Sequence, residues 1–134
     1  MECGESIMQI TIPVAPRTKK NSNRIVKARG RYMVLPSKLY TDYEKECKEF
    51  IPAMETIETP VNIECHYYMS THRRVDLVNL EEATLDILVK HKVIADDNSN
   101  IVVSMDGSRV FYDKDSPRTE ITITSLLTDP NEGR

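Results

Sequence analysis

A chain of 134 residues makes one domain with room for a real hydrophobic core. A formal charge of −3, with 40% hydrophobic and 29% charged residues, is ordinary for a globular protein and excludes a low-complexity chain. Cys3, Cys47 and Cys65 show no paired spacing, no apolar run approaches the roughly 18 residues of a bilayer span, and no signal-peptide core opens the chain, so a reducing cytoplasmic setting is expected.

Met8 to Val14 alternates apolar and polar residues and predicts a first strand, ended by Pro13 and Pro16. Residues 17–31 are too polar for core and read as a loop, which a short strand over Tyr32 to Leu35 closes. Pro36-Ser37-Lys38 opens a helix running to about Ile51, with Pro52 as its stop. Val61 to Met69 alternates again, with Val61, Ile63, Cys65, Tyr67 and Met69 on one face, and predicts a central strand.

A second helix is expected over about Asp76 to His91. Leu77, Leu80, Thr84, Ile87 and Leu88 form its apolar stripe, with Asn79, Glu82, Ala83, Asp86 and Lys90 opposite. Val78, Leu85 and Val89 make a second stripe, so this helix should pack on a sheet and on something further, such as another helix or a second subunit. Ile101 to Met105 and Arg109 to Tyr112 flank Asp106-Gly107, a hairpin signal. Glu120 to Leu126 alternates as a last strand, and 128–134 reads as a frayed tail. The sum is a single α+β domain over 1–134, a sandwich in which two main helices cover one face of a mixed sheet.

Charge is unevenly placed along this order. No acid stands between Glu5 and Asp42, where Arg17, Lys19, Lys20, Arg24, Lys27, Arg29, Arg31 and Lys38 are found. Acids gather in 42–58 and 76–97. A basic arm beside an acidic cluster suits an enzyme that binds a polyanion and holds metals among carboxylates. A solvated basic loop would look the same. Asp76, Glu82, Asp86 and Asp97 are the candidate ligands of a divalent cation, because acids brought together repel unless one is bound. Each has a plainer reading too: Asp76 as helix cap, Glu82 and Asp86 as solvated helix-face residues, with Asp86 able to pair with Lys90, and Asp96-Asp97 as a polar turn. No nucleophilic triad, zinc spacing or phosphate-cradling glycine loop is present, which leaves no place for a nucleotide cofactor.

KKNSNR at 19–24, PSKLYTDYE at 36–44, DLVNLEEATLD at 76–86, IADDNSNIV at 94–102 and PRTEITI at 117–123 together resemble the RusA family of Holliday-junction resolvases. The resemblance runs from about residue 8 to 126. It implies a small α+β homodimer of phage or prophage type. Such a protein cleaves four-way DNA junctions with Mg²⁺, or Mn²⁺ in its place, in DNA recombination and repair.

Carried over, Asp76 and Asp97 match the catalytic aspartates, and Asn79, Leu80, Ala83 and Asp86 the helical signature. Lys19, Lys20, Asn21, Ser22 and Arg24 match the N-terminal motif. With Lys27, Arg29, Arg31, Lys38, Arg73 and Arg74 they form the expected DNA-binding set.

Two positions depart from the family pattern. Val78 stands where a second carboxylate is usual, and Glu82 where a catalytic lysine is usual. Read as a compensated pair, Glu82 restores the ligand count and Lys19 or Lys20 takes the lysine's electrostatic role. Read as losses, they leave a catalytically degenerate, junction-binding recombination accessory protein.

Overall fold

The computed structural model describes residues 4–19, 23–36 and 38–126. The expected tail at 128–134, and Lys20, Asn21 and Ser22 of the expected DNA-binding set, lie outside them.

The elements are β1 (Gly4–Ile12), β2 (Asn23–Ala28), β3 (Arg31–Pro36), α1 (Lys38–Lys48), β4 (Val61–Met69), α2 (Leu77–Lys90), β5 (Val102–Ser104), β6 (Arg109–Tyr112) and β7 (Arg118–Leu126). β1, β7 and β4 run side by side as antiparallel neighbours, and β5 and β6 both pair with the far side of β4 in parallel. The sheet is therefore mixed, with β4 central as its alternation predicted. Parallel pairing needs a crossover, and α2 supplies it between β4 and β5.

One face of the sheet is apolar. Val61, Ile63, Cys65 and Tyr67 of β4 point inward with Ile121 and Ile123 of β7 and Ile10 and Ile12 of β1. Tyr40, Tyr43 and Cys47 of α1 and Leu80, Ala83, Ile87 and Leu88 of α2 complete that single core, so both helices cover the same face. A hydrogen bond fixes α2 on β4. The Thr84 hydroxyl donates to the Leu80 carbonyl (3.0 Å), so Tyr67 is the donor in its 2.7 Å bond to Thr84. The other face carries Glu64, His66, Tyr68 and Arg118. Arg118 lies 3.8 Å from the Tyr68 ring centroid and donates to Asp113 and Glu120.

Four expectations change. The basic segment is a β-hairpin rather than a loop: β2 and β3 pair in register from Asn23↔Pro36 to Ala28↔Arg31. Arg29 and Gly30 form its two-residue turn with φ of +52° and +75°, the signs of a type I′ turn. An arginine there costs about 1–2 kcal/mol against glycine. α1 ends at Lys48 because its last turn tightens: Glu49, Phe50 and Ile51 donate to carbonyls three residues back. Ala83, placed on the polar side of α2 by its spacing, is buried.

The fourth change is the largest. β5 and β6 do not pair with each other; they follow one another along β4, with Val61↔Val102 and His66↔Arg109 as partners. Between them Asp106-Gly107 is the tip of a β-turn, closed by Ser108 N donating to Met105 O (3.2 Å). Asn62 holds it, accepting from Asp106 N (2.8 Å) and the Ser104 hydroxyl (2.5 Å) and donating to Asp106 O (3.2 Å). Gly107 has φ +89°, and a Cβ there would stand 2.7 Å from Glu64 Cδ. The dipeptide does turn the chain, but the strands it joins pair with β4 instead of with each other, and Asn62 ties the turn to that strand.

Among the described residues no helix is long and apolar enough to cross a membrane. The two sides of α2 should separate cleanly in stability measurements. Leu88→Ala, fully buried, should cost about 2–5 kcal/mol in urea unfolding. Val78→Ala, 70% exposed, should stay within about 0.5 kcal/mol of wild type.

Candidate active site

The end of α2 is shaped by its stop. Lys92 N donates to Val89 O (3.1 Å) and Val93 N to Leu88 O (2.8 Å), a Schellman turn with Lys92 at φ +62° where glycine is usual. Val93 and Leu88 are both buried, the apolar contact that accompanies this cap. The reversed chain is then anchored, as Ile57 N donates to Val93 O and Ala95 N to Ile57 O. The next residues form a loop tied by its own polar side chains. Asp96 accepts from Asp97 N (2.7 Å) and from Asn98 Nδ2 (3.1 Å), and Asn98 accepts from Asn100 N (2.9 Å). Asp96 thus holds the loop, and Asp97 is the carboxylate that lines a cavity.

That cavity measures about 500 Å³ and is bounded by Lys19, Tyr40, Thr41, Glu44, Asp86, Val89, Lys90 and Asp97. Lys19 donates to Asp86 at 2.8 Å and stands 5.7 Å from the Tyr40 ring centroid. Lys90 pairs with Glu44 across the helices, not with Asp86. Asp97 is held above the usual carboxylate range, first by desolvation, then by its neighbour Asp96 and by Asp86. The Tyr40 phenol is raised too, by burial and then by Glu44, Asp86 and, more weakly, Glu82. The field in the cavity is negative despite its two lysines.

Asp76 stands at the other end of α2. It occupies the cap position, with φ −87° and ψ 124°, but its carboxylate makes no capping hydrogen bond. It accepts instead from Asn79 Nδ2 at 3.2 Å. Asp76 and Asn79 line a cavity of about 250 Å³ with Thr18, Arg74 and Val75. Thr18 and Arg74 also line the next one, of about 350 Å³, with Arg17 and Arg73. Loop residues 17–19 therefore run along all three cavities.

Of the four expected ligands, Asp86 and Asp97 share a cavity, Asp76 does not join them, and Glu82 is exposed beside it. Ten residues of helix, about 15 Å, separate Asp76 from Asp86. Among the described residues no three Asp, Glu, His or Cys side chains group closely enough to hold a metal. Of the expected DNA-binding set, Lys27, Arg29, Arg31, Lys38, Arg73 and Arg74 are exposed; Lys38 pairs with Asp42 at 3.3 Å. Arg24 lies in β2, with its side chain outside the description. Tyr40, Thr41, Glu44 and Lys90 are cavity residues that sequence reasoning did not single out. Tyr40 and Glu44 stand one helical turn apart within PSKLYTDYE, and that spacing was the available signal. Cys47 and Cys65 play no part: burial pushes their thiols up to about 11 and about 12.

A one-sided mixed sheet, with an acidic cavity and arginine-lined cavities along one loop, defines a small α+β domain. The family model of endodeoxyribonuclease RusA matches residues 13–124, and the chain belongs to that family. Membership indicates endodeoxyribonuclease activity on branched DNA junctions. Comparison with the curated proteins gives no significant match.

The raised Asp97 has a consequence for stability. A carboxyl whose folded value lies above its unfolded one binds its proton more tightly when folded, so stability falls as pH rises between the two values. Asp97→Asn should therefore raise the melting temperature at pH 7. That gain should vanish in acid, below the ordinary aspartate value, when thermal unfolding is followed across pH.

Proposed function

We propose that this protein is a metal-dependent resolvase of four-way DNA junctions, working as a homodimer in recombination and repair in the cytoplasm, at the nucleoid, with Mg²⁺ or Mn²⁺ as cofactor. The observation that carries the reading is the pairing of Asp86 with Asp97 across one negative cavity beside Lys19. Mg²⁺ takes one or two protein carboxylates and completes its shell with water and substrate phosphate, so this donor set suits it without a third acid. Asp86 and Asp97 would hold one ion, Asp76 would serve as a ligand at the other end of α2, and Glu82 adds negative charge at the rim. When bound, the metal supplies Lewis-acid stabilisation of the phosphate and a water of lowered pKa.

The remaining work falls to side chains. Lys19, now partnered by Asp86, offsets charge on the phosphoryl oxygens, the role left open by Glu82. Asn79 orients the Asp76 carboxylate. Arg73 and Arg74 hold backbone phosphates beside Asp76, contacts that position the strand without reading its sequence. A junction has two-fold symmetry, so an isologous dimer puts one site on each of two opposed strands. The exposed Val78 on α2, with the half-buried Leu85, offers an apolar surface for such a contact, while Val89 of the same stripe lines the cavity.

The second reading, a degenerate junction-binding accessory protein, draws on Val78 and on the separation of Asp76 from Asp86. One assay divides the two: a labelled four-way junction and a matched duplex, incubated with Mg²⁺, Mn²⁺ or EDTA. Metal-dependent symmetric nicking of the junction is the expected result; binding without nicking supports the accessory protein, and gain of nicking by Val78→Asp would then confirm it. No junction binding at moderate salt sinks both.

Asp76→Asn and Asp97→Asn should each abolish nicking while leaving junction affinity within a few fold of wild type. A variant that cuts at the wild-type rate removes that residue from the site. Glu82→Ala should lower activity at limiting Mg²⁺; unchanged metal dependence would show that Glu82 compensates for nothing.

A further inference from the structure

The β2–β3 hairpin stands apart from the main sheet as a two-stranded sheet of its own. Such ribbons are marginal alone, and this one carries a turn that works against it. A two-residue turn with both φ values positive favours Asn-Gly or Asp-Gly. Here the first place is taken by Arg29 at φ +52°. Strain of this kind persists where the side chain is wanted.

The neighbours agree. Lys27 and Tyr32 are cross-strand partners, with the Lys27 ammonium 5.6 Å from the ring centroid, and Tyr32 is nevertheless 74% exposed. Arg31 follows directly after the turn, and Met33 beyond it is exposed. Among the described residues no ion pair joins Lys27, Arg29 or Arg31 to an acid, and the segment between Glu5 and Asp42 contains no acid. An exposed aromatic among unneutralised cations on a narrow ribbon is complementary to a polyanion with a groove. Six paired residues span about 20 Å, with strands about 4.8 Å apart. The major groove of duplex DNA, about 12 Å wide, admits a two-stranded ribbon.

We infer that the hairpin is a DNA-gripping arm that lies in the major groove of a duplex arm of the substrate. Lys27, Arg29 and Arg31 meet the flanking phosphates. The inference rests on the proposed action on branched DNA, and it adds a contact away from the carboxylates. It also assigns the strained arginine a task that a better turn residue cannot perform.

The test is Arg29→Asn beside Arg29→Lys, with junction and duplex binding measured in EDTA over a range of salt. Asparagine suits the turn, so the melting temperature should hold or rise. Affinity should nevertheless fall about fivefold or more, with the salt slope reduced by about one. Arg29→Lys should bind within twofold of wild type. Wild-type protein should also protect guanine N7 in the duplex arms from methylation, since that atom lies in the major groove.

Arg29→Asn binding within twofold of wild type with an unchanged salt slope would overturn the inference. So would intact binding with no N7 protection. Both leave the resolvase reading standing, whereas failure of wild-type protein to bind any junction removes the two together.

Discussion

Everything in the site hangs on how α2 is held against β4. The Tyr67 hydroxyl, buried in the core, donates to Thr84 in the middle of the helix. Leu80, Ala83, Ile87 and Leu88 bury the stripe around it. That contact fixes the rotation of α2, and rotation decides which residues face the loop at 17–19. Asp76, Asn79 and Asp86 then lie along one side of the helix, about three turns from end to end. A turn of the helix by a quarter would carry Asp86 away from Lys19 and put an acid against the sheet.

The helix end matters as much as its middle. The Schellman turn at His91 to Val93 sends the chain back, and the bonds between Ile57 and the segment Val93 to Ala95 stop it drifting. Asp97 reaches the cavity because Asp96 and Asn98 brace the loop from within. Two adjacent aspartates therefore have opposite duties: one makes structure and the other faces the cavity. Lys92, in the left-handed region that glycine prefers, shows that this reversal is maintained against a local preference.

Much of this was legible in the sequence where a pattern reported on burial. The alternation of 61–69 predicted β4 and its central place, and the period of 76–91 predicted α2 to within a residue at each end. The misreadings fall where spacing along the chain does not report on packing. Asp106-Gly107 is a turn as read, but Asn62, more than forty residues earlier, ties it to β4, where the flanking strands pair rather than with each other. The basic segment reads as a loop because its run of charged and polar residues from Arg17 to Arg24 shows no apolar alternation. Ala83 is small enough to sit at either face, and only packing chose. In the site, Asp76 and Asp97 were visible as residue types, but their lining of separate cavities was not. Spacing along the chain does not give distance across it.

The interrupted strand beside β4 has one more effect. A sheet edge is a row of unpaired backbone groups that invites another chain to add on. On this side the edge is broken into lengths of three and four residues by the Asp106-Gly107 turn. Neither piece is long enough to template a stable intruding strand. The opposite edge, nine residues of β1, has no such break after Met8. The sheet is thus asymmetric in its sociability: one border is short and broken, and the other offers a longer run of backbone groups.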